Sequence, residues 1–199
     1  IFSSLSERIL GASAKQTESD GFIKISATEL DAEEYSLEIT EGSVIILAST
    51  RAGALYALGT LLTLAKKSGG NITLPVTKIT DKPFCPVRGA HFYMPARKGI
   101  DEFKALIDSM LLMKMNTLIL EVGGGMQYDR HPEINIAWEK FCKTIDNMPG
   151  VDGSRSFQGS DLYWKDSLHT ELAGGSYLTK DEARDIVKYA KLRGMNVIP

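Results

Sequence analysis

A chain of 199 residues with 43% hydrophobic side chains can bury a real core, as one large domain or two small ones. Its 23 basic and 25 acidic residues leave a net charge of −2 with no long basic run, so the electrostatic footprint of a nucleic-acid binder is missing. No apolar stretch approaches the ~18–20 residues of a membrane span, and Cys85 and Cys142 lack the Cys-x-x-Cys spacing of a zinc site or a disulfide framework.

Phe2, Leu5 and Ile9 recur at helical spacing, which places the first residues inside a helix. Ile23 and Ile25, then Tyr35, Leu37 and Ile39, alternate with polar neighbours. Glu41-Gly42 supplies a turn before the apolar run Ser43–Ala48, so 34–48 is predicted to be a β-hairpin. Thr50 is placed to cap a helix whose Leu55, Leu58, Leu62 and Ala65 share one face. Ile72, Leu74 and Val76 predict a further strand, which Pro75 confines to an edge. Residues 1–79 therefore read as a small α+β domain, incomplete at its start, with an antiparallel sheet and its helices on one face.

Pro83 and Pro86 make 80–87 a linker, since neither ring can donate to a ladder and each biases the preceding residue to extended backbone. Beyond it the pattern alternates. A strand at 88–93 opens on Arg88 and is followed by a helix at 101–114 and an apolar strand at 116–122. A long segment, 123–177, reads as irregular. A helix at 179–193 opens with the capping box Thr179–Glu182, and Met195–Ile198 is a third strand. Such alternation predicts parallel strands joined by right-handed crossovers. The doubly wound alternative lacks its glycine-rich first turn, because Gly123-Gly124-Gly125 follows the second strand without phosphate-loop spacing. The expected class is thus α/β with α+β, in which 88–199 supplies the first β/α units of a truncated TIM barrel. Both ends of the chain read as cut from a longer polypeptide, and the open barrel edges invite self-association.

"LPVTKITDKPFCPVRG" followed by "FKALIDSMLLMKMNTLIL" resembles the domain junction and first barrel unit of glycoside hydrolase family 20, the β-N-acetylhexosaminidases. "YSLEITEGSVIILASTRAGALYALGTLLTL" is similar to that family's small N-terminal domain, and "YLTKDEARDIVKYAKLRGMNVIP" to its second barrel helix and third strand. The resemblance implies a carbohydrate substrate ending in N-acetylhexosamine, no cofactor or metal, and a secreted or periplasmic parent. It also implies a substrate-assisted mechanism whose Asp-Glu pair follows the fourth barrel strand. No catalytic residue is then expected among these 199 residues, and the isolated chain is expected to be inactive. An O-GlcNAcase-like or α-glucuronidase-like enzyme, or a non-catalytic glycan-binding relative, stays open beside this reading.

Carried over by position, Arg88 matches the family arginine that bonds sugar hydroxyls, with an interdomain salt bridge as its competing role. The family's aspartate five residues later is Tyr93 here, its second-strand histidine is Glu121, and its two following carboxylates are Gly124 and Gly125. These departures imply a remodelled pocket. Glu121, at the end of the second strand, is expected to face the mouth where barrel enzymes place their chemistry. Trp164 is a candidate platform for a sugar ring, whereas Trp138 reads as part of the loop's own core. His91 is expected to pack, and Asp129, His131 and Glu133 to be solvated loop residues rather than metal ligands.

Overall fold

The computed structural model describes residues 1–14, 21–95, 97–146 and 177–199. They form two compact units. The first comprises Ile1–Gly89, Ile107–Thr117 and Leu192–Met195; the second comprises Ala90–Leu106, Leu118–Lys191 and Asn196–Pro199.

In the first unit, α1 (Phe2–Leu10) precedes β1 (Ile23–Ala27), β2 (Tyr35–Ile39) and β3 (Val44–Ala48). The expected hairpin is present: β2 and β3 pair antiparallel with Tyr35 opposite Ala48, Leu37 opposite Ile46 and Ile39 opposite Val44. All six of these side chains are buried, so a period of two has put one complete face of the hairpin into the core. Thr40 closes the turn, its oxygen accepting the Ser43 N–H at 3.1 Å.

Two expectations for this unit need correction. The sheet is mixed, because β1 joins β3 in parallel. Alternation identifies β1 as a strand, but an exposed edge strand can join a fixed hairpin in either direction. Nor is 72–76 one strand. β4 (Lys66–Ser68) and β5 (Asn71–Thr73) form a separate small hairpin, turned by Gly69 and Gly70 with φ of 55° and 86°. Chain after Pro75 re-enters as β6 (Thr77–Asp81), which pairs antiparallel with β2 along the sheet edge.

Between β3 and β4 runs α2 (Arg51–Leu64), capped as expected by the Thr50 side chain, which accepts the Gly53 N–H. Its burial is wider than one face: Leu55, Tyr56, Ala57, Leu58, Leu61 and Leu62 are all buried. The helix is covered on more than one side, by β2 and β3 and by α1. Gly53 makes the close approach possible, since a Cβ there would lie 2.5 Å from the Glu34 carbonyl oxygen.

The remaining elements are β7 (Gly89–Tyr93), α3 (Ile100–Leu112), β8 (Thr117–Glu121), α4 (Pro132–Asp146), α5 (Lys180–Leu192) and β9 (Asn196–Ile198). The strands form a sheet of order β7-β8-β9. Thr117 N–H donates to the Arg88 carbonyl where β7 and β8 begin, and Met94 N–H to the Glu121 carbonyl where they end. The two strands therefore run in parallel, as the alternation predicts. Leu118 and Leu120 are buried, and Phe92 meets Phe103 of α3 edge-on at 6.1 Å. His91, Tyr93, Ile119 and Glu121 occupy the opposite, exposed face.

The segment after β8 is not wholly irregular. Pro132 and Glu133 open α4, a proline suited to the first helical turn and an acid suited to the positive helix end. Asn135 is buried, and its amide ties the loop down by accepting from Tyr128 N–H at 2.8 Å and donating to the Met126 carbonyl at 2.7 Å. Trp138 stacks near Phe141 and lies so close to Gly124 that a Cβ there would come within 2.8 Å. That contact is a packing reason for the glycine and fits Trp138 as loop core.

Candidate functional site

The C-terminal ends of β7 and β8 present an open patch. Glu121, the last residue of β8, is held in register by the 2.8 Å bond from Met94 N–H to its carbonyl. Its Oε2 lies 3.1 Å from His91 Nε2, with both side chains about half exposed. The His91 ring sits 5.9 Å from that of Tyr93, tilted by 49°. A carboxylate, an imidazole and a phenol ring on one strand-end surface combine hydrogen-bonding edges with an apolar face, which suits a polyhydroxylated ring. His91, expected to pack, is about half exposed here and lies beside Glu121 and Tyr93. Sequence parity puts residues 91 and 93 on one face of β7, but only the strand register brings Glu121 beside them.

Next to this patch the loop is rigidly built. Met126 and Leu178 form a parallel bridge, with Gln127 N–H donating to the Leu178 carbonyl at 2.8 Å. A groove of about 210 Å³ is lined by Gln127, Tyr128, Asp129, Asn135, Glu139 and Tyr177, among others. The Lys180 ammonium beside Asp129 holds that carboxyl below its usual range. His131 and Glu133 pair at 2.9 Å in the open. Among the described residues no cluster of three or more His, Cys, Asp or Glu could hold a metal ion.

The capping box that starts α5 is also an anchor. Thr179 N–H donates to Glu182 Oε2 at 2.7 Å and Glu182 N–H to Thr179 Oγ1 at 3.2 Å. Arg97 grips the same carboxylate through Nε at 2.7 Å and a terminal nitrogen at 3.1 Å. This fork pulls the Glu182 carboxyl down from 4.5 to about 2, with the Thr179 bonds adding to the shift and partial burial opposing it. A depressed carboxyl stabilises the fold above its unfolded pKa, and the contribution is lost as pH falls through the folded value. We expect stability to decline between about pH 4.5 and 2, with Glu182→Gln removing part of that slope in denaturation curves.

Arg88 belongs to a different constellation, within the first unit. Its Nε donates to the Lys114 carbonyl at 2.7 Å, and one terminal nitrogen to Glu33 Oε2 at 2.9 Å and the Cys85 carbonyl at 2.7 Å. The other terminal nitrogen donates to Glu33 Oε1 at 3.2 Å and to the Tyr56 hydroxyl at 3.1 Å. All five guanidinium donors are thereby used, and a sugar hydroxyl would have to displace one of them. Burial pushes the Glu33 carboxyl up, but hydrogen bonds from Arg88, Asn116 and Tyr56 outweigh it and hold it low. Burial, reinforced by the Glu33 charge, pushes the Tyr56 hydroxyl up to about 12 and keeps it a donor. Glu33 and Tyr56 were not legible as Arg88's partners, because nothing in their local spacing points to a residue so distant in sequence.

Trp164 lies outside the described residues. Of the sequence candidates, the structure joins Glu121 to His91 and places Arg88 with Glu33 and Tyr56.

Two family models match the chain in succession: glycosyl hydrolase family 20 domain 2 over residues 2–82, and the family 20 catalytic domain over residues 91–199. The chain belongs to glycosyl hydrolase family 20. The resemblance read from the Pro-x-x-Pro-x-Arg-Gly junction and its flanking segments is borne out. Similar curated proteins include a beta-hexosaminidase of Vibrio furnissii, 29% identical over 85% of this chain and 26% of its own length. An N,N'-diacetylchitobiase of Vibrio harveyi is 27% identical over 83% of this chain and 18% of its own length.

Among solved family 20 structures, an exo beta-N-acetylglucosaminidase of Vibrio harveyi in complex with N-acetylglucosamine superposes with a TM-score of 0.73 at 22% identity. It covers all of this chain and 30% of that one. A mutant Streptomyces plicatus beta-hexosaminidase in complex with product gives a TM-score of 0.70 at 22% identity, over 100% of this chain and 38% of that one. At such identities the likeness establishes the fold. The chain spans about a quarter of the length of the curated relatives it matches.

Proposed function

We propose that this chain contributes the small N-terminal domain and the opening β/α units of a TIM barrel to a glycosidase that removes terminal N-acetylhexosamine from glycans. The carrying observation is the order of the two family matches, domain 2 and then the catalytic domain, along one continuous chain. The parallel pairing of β7 with β8 around α3 supports the barrel reading. Exposed edges at β7 and β9 support a contact with further strands or with a second copy.

The proposed reaction uses the substrate's own acetamido group. Its carbonyl oxygen attacks the anomeric carbon as the glycosidic bond breaks. A glutamic acid protonates the leaving oxygen, and an adjacent aspartate orients the acetamide. Water then opens the cyclic intermediate at the anomeric carbon, so configuration is retained overall. This route is a known exception to the two-carboxylate scheme. The acidic pair is assigned outside these residues, since Asp101-Glu102 and Asp181-Glu182 open α3 and α5. Within the chain, Glu121 is assigned to a sugar hydroxyl and Trp164 to the sugar's apolar face. Arg88 primarily holds its own partners and meets a hydroxyl by exchanging one of its five bonds.

The test is hydrolysis by the protein at its natural length of an aryl N-acetyl-β-glucosaminide beside the matching aryl β-glucoside. Intramolecular attack is worth orders of magnitude, so the glucosaminide should be preferred by roughly a hundredfold or more. Equal turnover of both, or of neither, contradicts the reading.

A further inference from the structure

We propose that Glu33 is a positioning residue for the glycosidase: its one carboxylate ties the starts of β7 and β8 together and so sets where the two strands deliver their far ends. The effect on rate rests on the glycosidase reading, whereas the tie itself rests on hydrogen bonds alone.

Four donors converge on this carboxylate. Oε2 accepts from one terminal nitrogen of Arg88 at 2.9 Å. Oε1 accepts from the other at 3.2 Å, from the Asn116 amide at 3.0 Å and from the Tyr56 hydroxyl at 3.0 Å. Arg88 immediately precedes β7 and Asn116 immediately precedes β8. These two also bond each other: Arg88 N–H donates to Asn116 Oδ1 at 3.0 Å, and Asn116 N–H to the Arg88 carbonyl at 2.8 Å. The carboxylate therefore closes a ring through both strand starts. The Glu33 and Arg88 side chains are only 26% and 16% exposed, so water competes weakly for these bonds.

Glu33 also has a fixed base. On one side of it the Ser49 hydroxyl donates to the Asp31 carbonyl at 2.9 Å. On the other, the Glu34 carbonyl oxygen lies so close to Gly53 that a Cβ there would come within 2.5 Å. An ion pair taken out of water adds little net stability once desolvation is counted, and its best-attested use is to fix register. Register is critical at this point, because Gly89 approaches Thr117 too closely to admit a Cβ. β7 and β8 are five residues each. A strand of that length spans about 16 Å, so a tilt of about 4° at its start moves its end by about 1 Å. Displacements of that size in an active site cost up to about a hundredfold in rate.

The test uses the natural-length protein with Glu33→Ala, Glu33→Asp and a control, Glu38→Asp, whose carboxylate pairs with Lys78 at 3.1 Å in the open. Glu33→Asp keeps the charge but withdraws the carboxylate by one methylene, so it cannot reach Arg88, Asn116 and Tyr56 together. One readout is kcat/KM on the aryl N-acetyl-β-glucosaminide per folded molecule, with the folded fraction taken from denaturation curves. The other is hydrogen–deuterium exchange, by mass spectrometry, of the peptide holding the Asn116 and Thr117 amides that bond the Arg88 carbonyl. Both Glu33 variants should exchange there about tenfold faster and lose about five- to tenfold in kcat/KM per folded molecule, a fraction of the full misplacement penalty. The control should match wild type in both. A residue that only stabilises the fold changes the folded fraction and neither readout.

Wild-type kcat/KM per folded molecule in Glu33→Asp overturns the proposal, as does wild-type exchange at Asn116 and Thr117, or an equal loss in Glu38→Asp. So does a Glu33→Asp that fails to fold, which would make Glu33 a stability residue. Absence of hydrolysis in the wild type defeats the glycosidase reading instead, and the exchange arm then decides the tie between the strands by itself.

Discussion

Asp108→Ala is expected to cost the first unit about 3–5 kcal/mol in chemical denaturation, a large share of a small domain's stability. Asp108 of α3 and Arg193, which follows α5, are each only 4% exposed, and they are ion-paired. The second carboxylate oxygen of Asp108 bonds Arg8 of α1. Three segments distant in sequence thus converge on one buried anion. Alanine removes it and leaves the Arg193 guanidinium in a low-dielectric site without that counter-charge, and the desolvation already suffered is no longer offset. The half-exposed Arg8 can turn to water and loses little. Asp108→Asn keeps acceptor geometry but not charge and should cost less than alanine. A loss under about 1 kcal/mol for alanine would show that the pair contributes register rather than stability.

The glycine of the Arg-Gly junction should be almost as sensitive. A Cβ on Gly89 would lie 2.3 Å from the Thr117 carbonyl oxygen and 2.8 Å from the Thr117 Cβ. Both distances are below any ordinary contact, and the nearest obstacle is backbone rather than a flexible side-chain end. Gly89→Ala must therefore spread β7 from β8 just where the Arg88 carbonyl accepts from Asn116 and Thr117 N–H at 2.8 and 3.1 Å. Overpacking of this kind costs about 1–3 kcal/mol, and the upper end is expected because the clash is with a strand ladder. Unfolding midpoints of the variant and wild type measure it, and near-identical midpoints would mean the strands separate freely.

Much of the fold was legible because its signals are local. The two-residue period of Tyr35, Leu37 and Ile39, and the Thr179–Glu182 cap, each need only a few neighbouring residues. What failed was non-local or balanced between signals. The direction of β1 depends on which edge it meets, and no spacing within 23–27 encodes that. α4 was missed because Pro132 and the polar content of 123–135 suggested a loop, although Pro132-Glu133 followed by Ile134, Trp138 and Phe141 is a helix opening with a workable stripe. In the candidate patch, Glu121 was singled out from its strand-end position, and the contact with His91 was not, since it comes from a register between β7 and β8 that the sequence leaves open. Arg88 was singled out correctly as a residue in need of partners, but Glu33 lies 55 positions away and could not be named as one.

Attack by the acetamido group is measured most directly by the rate of the natural-length protein on aryl β-glucosaminides whose N-acetyl group carries zero, one, two or three fluorines. Fluorine withdraws electron density from the carbonyl oxygen that is proposed to attack the anomeric carbon. With the acetamido oxygen as nucleophile, kcat should fall steeply with each fluorine, down to a small fraction of the parent rate. A rate indifferent to fluorination would show that the acetamido group is not the nucleophile.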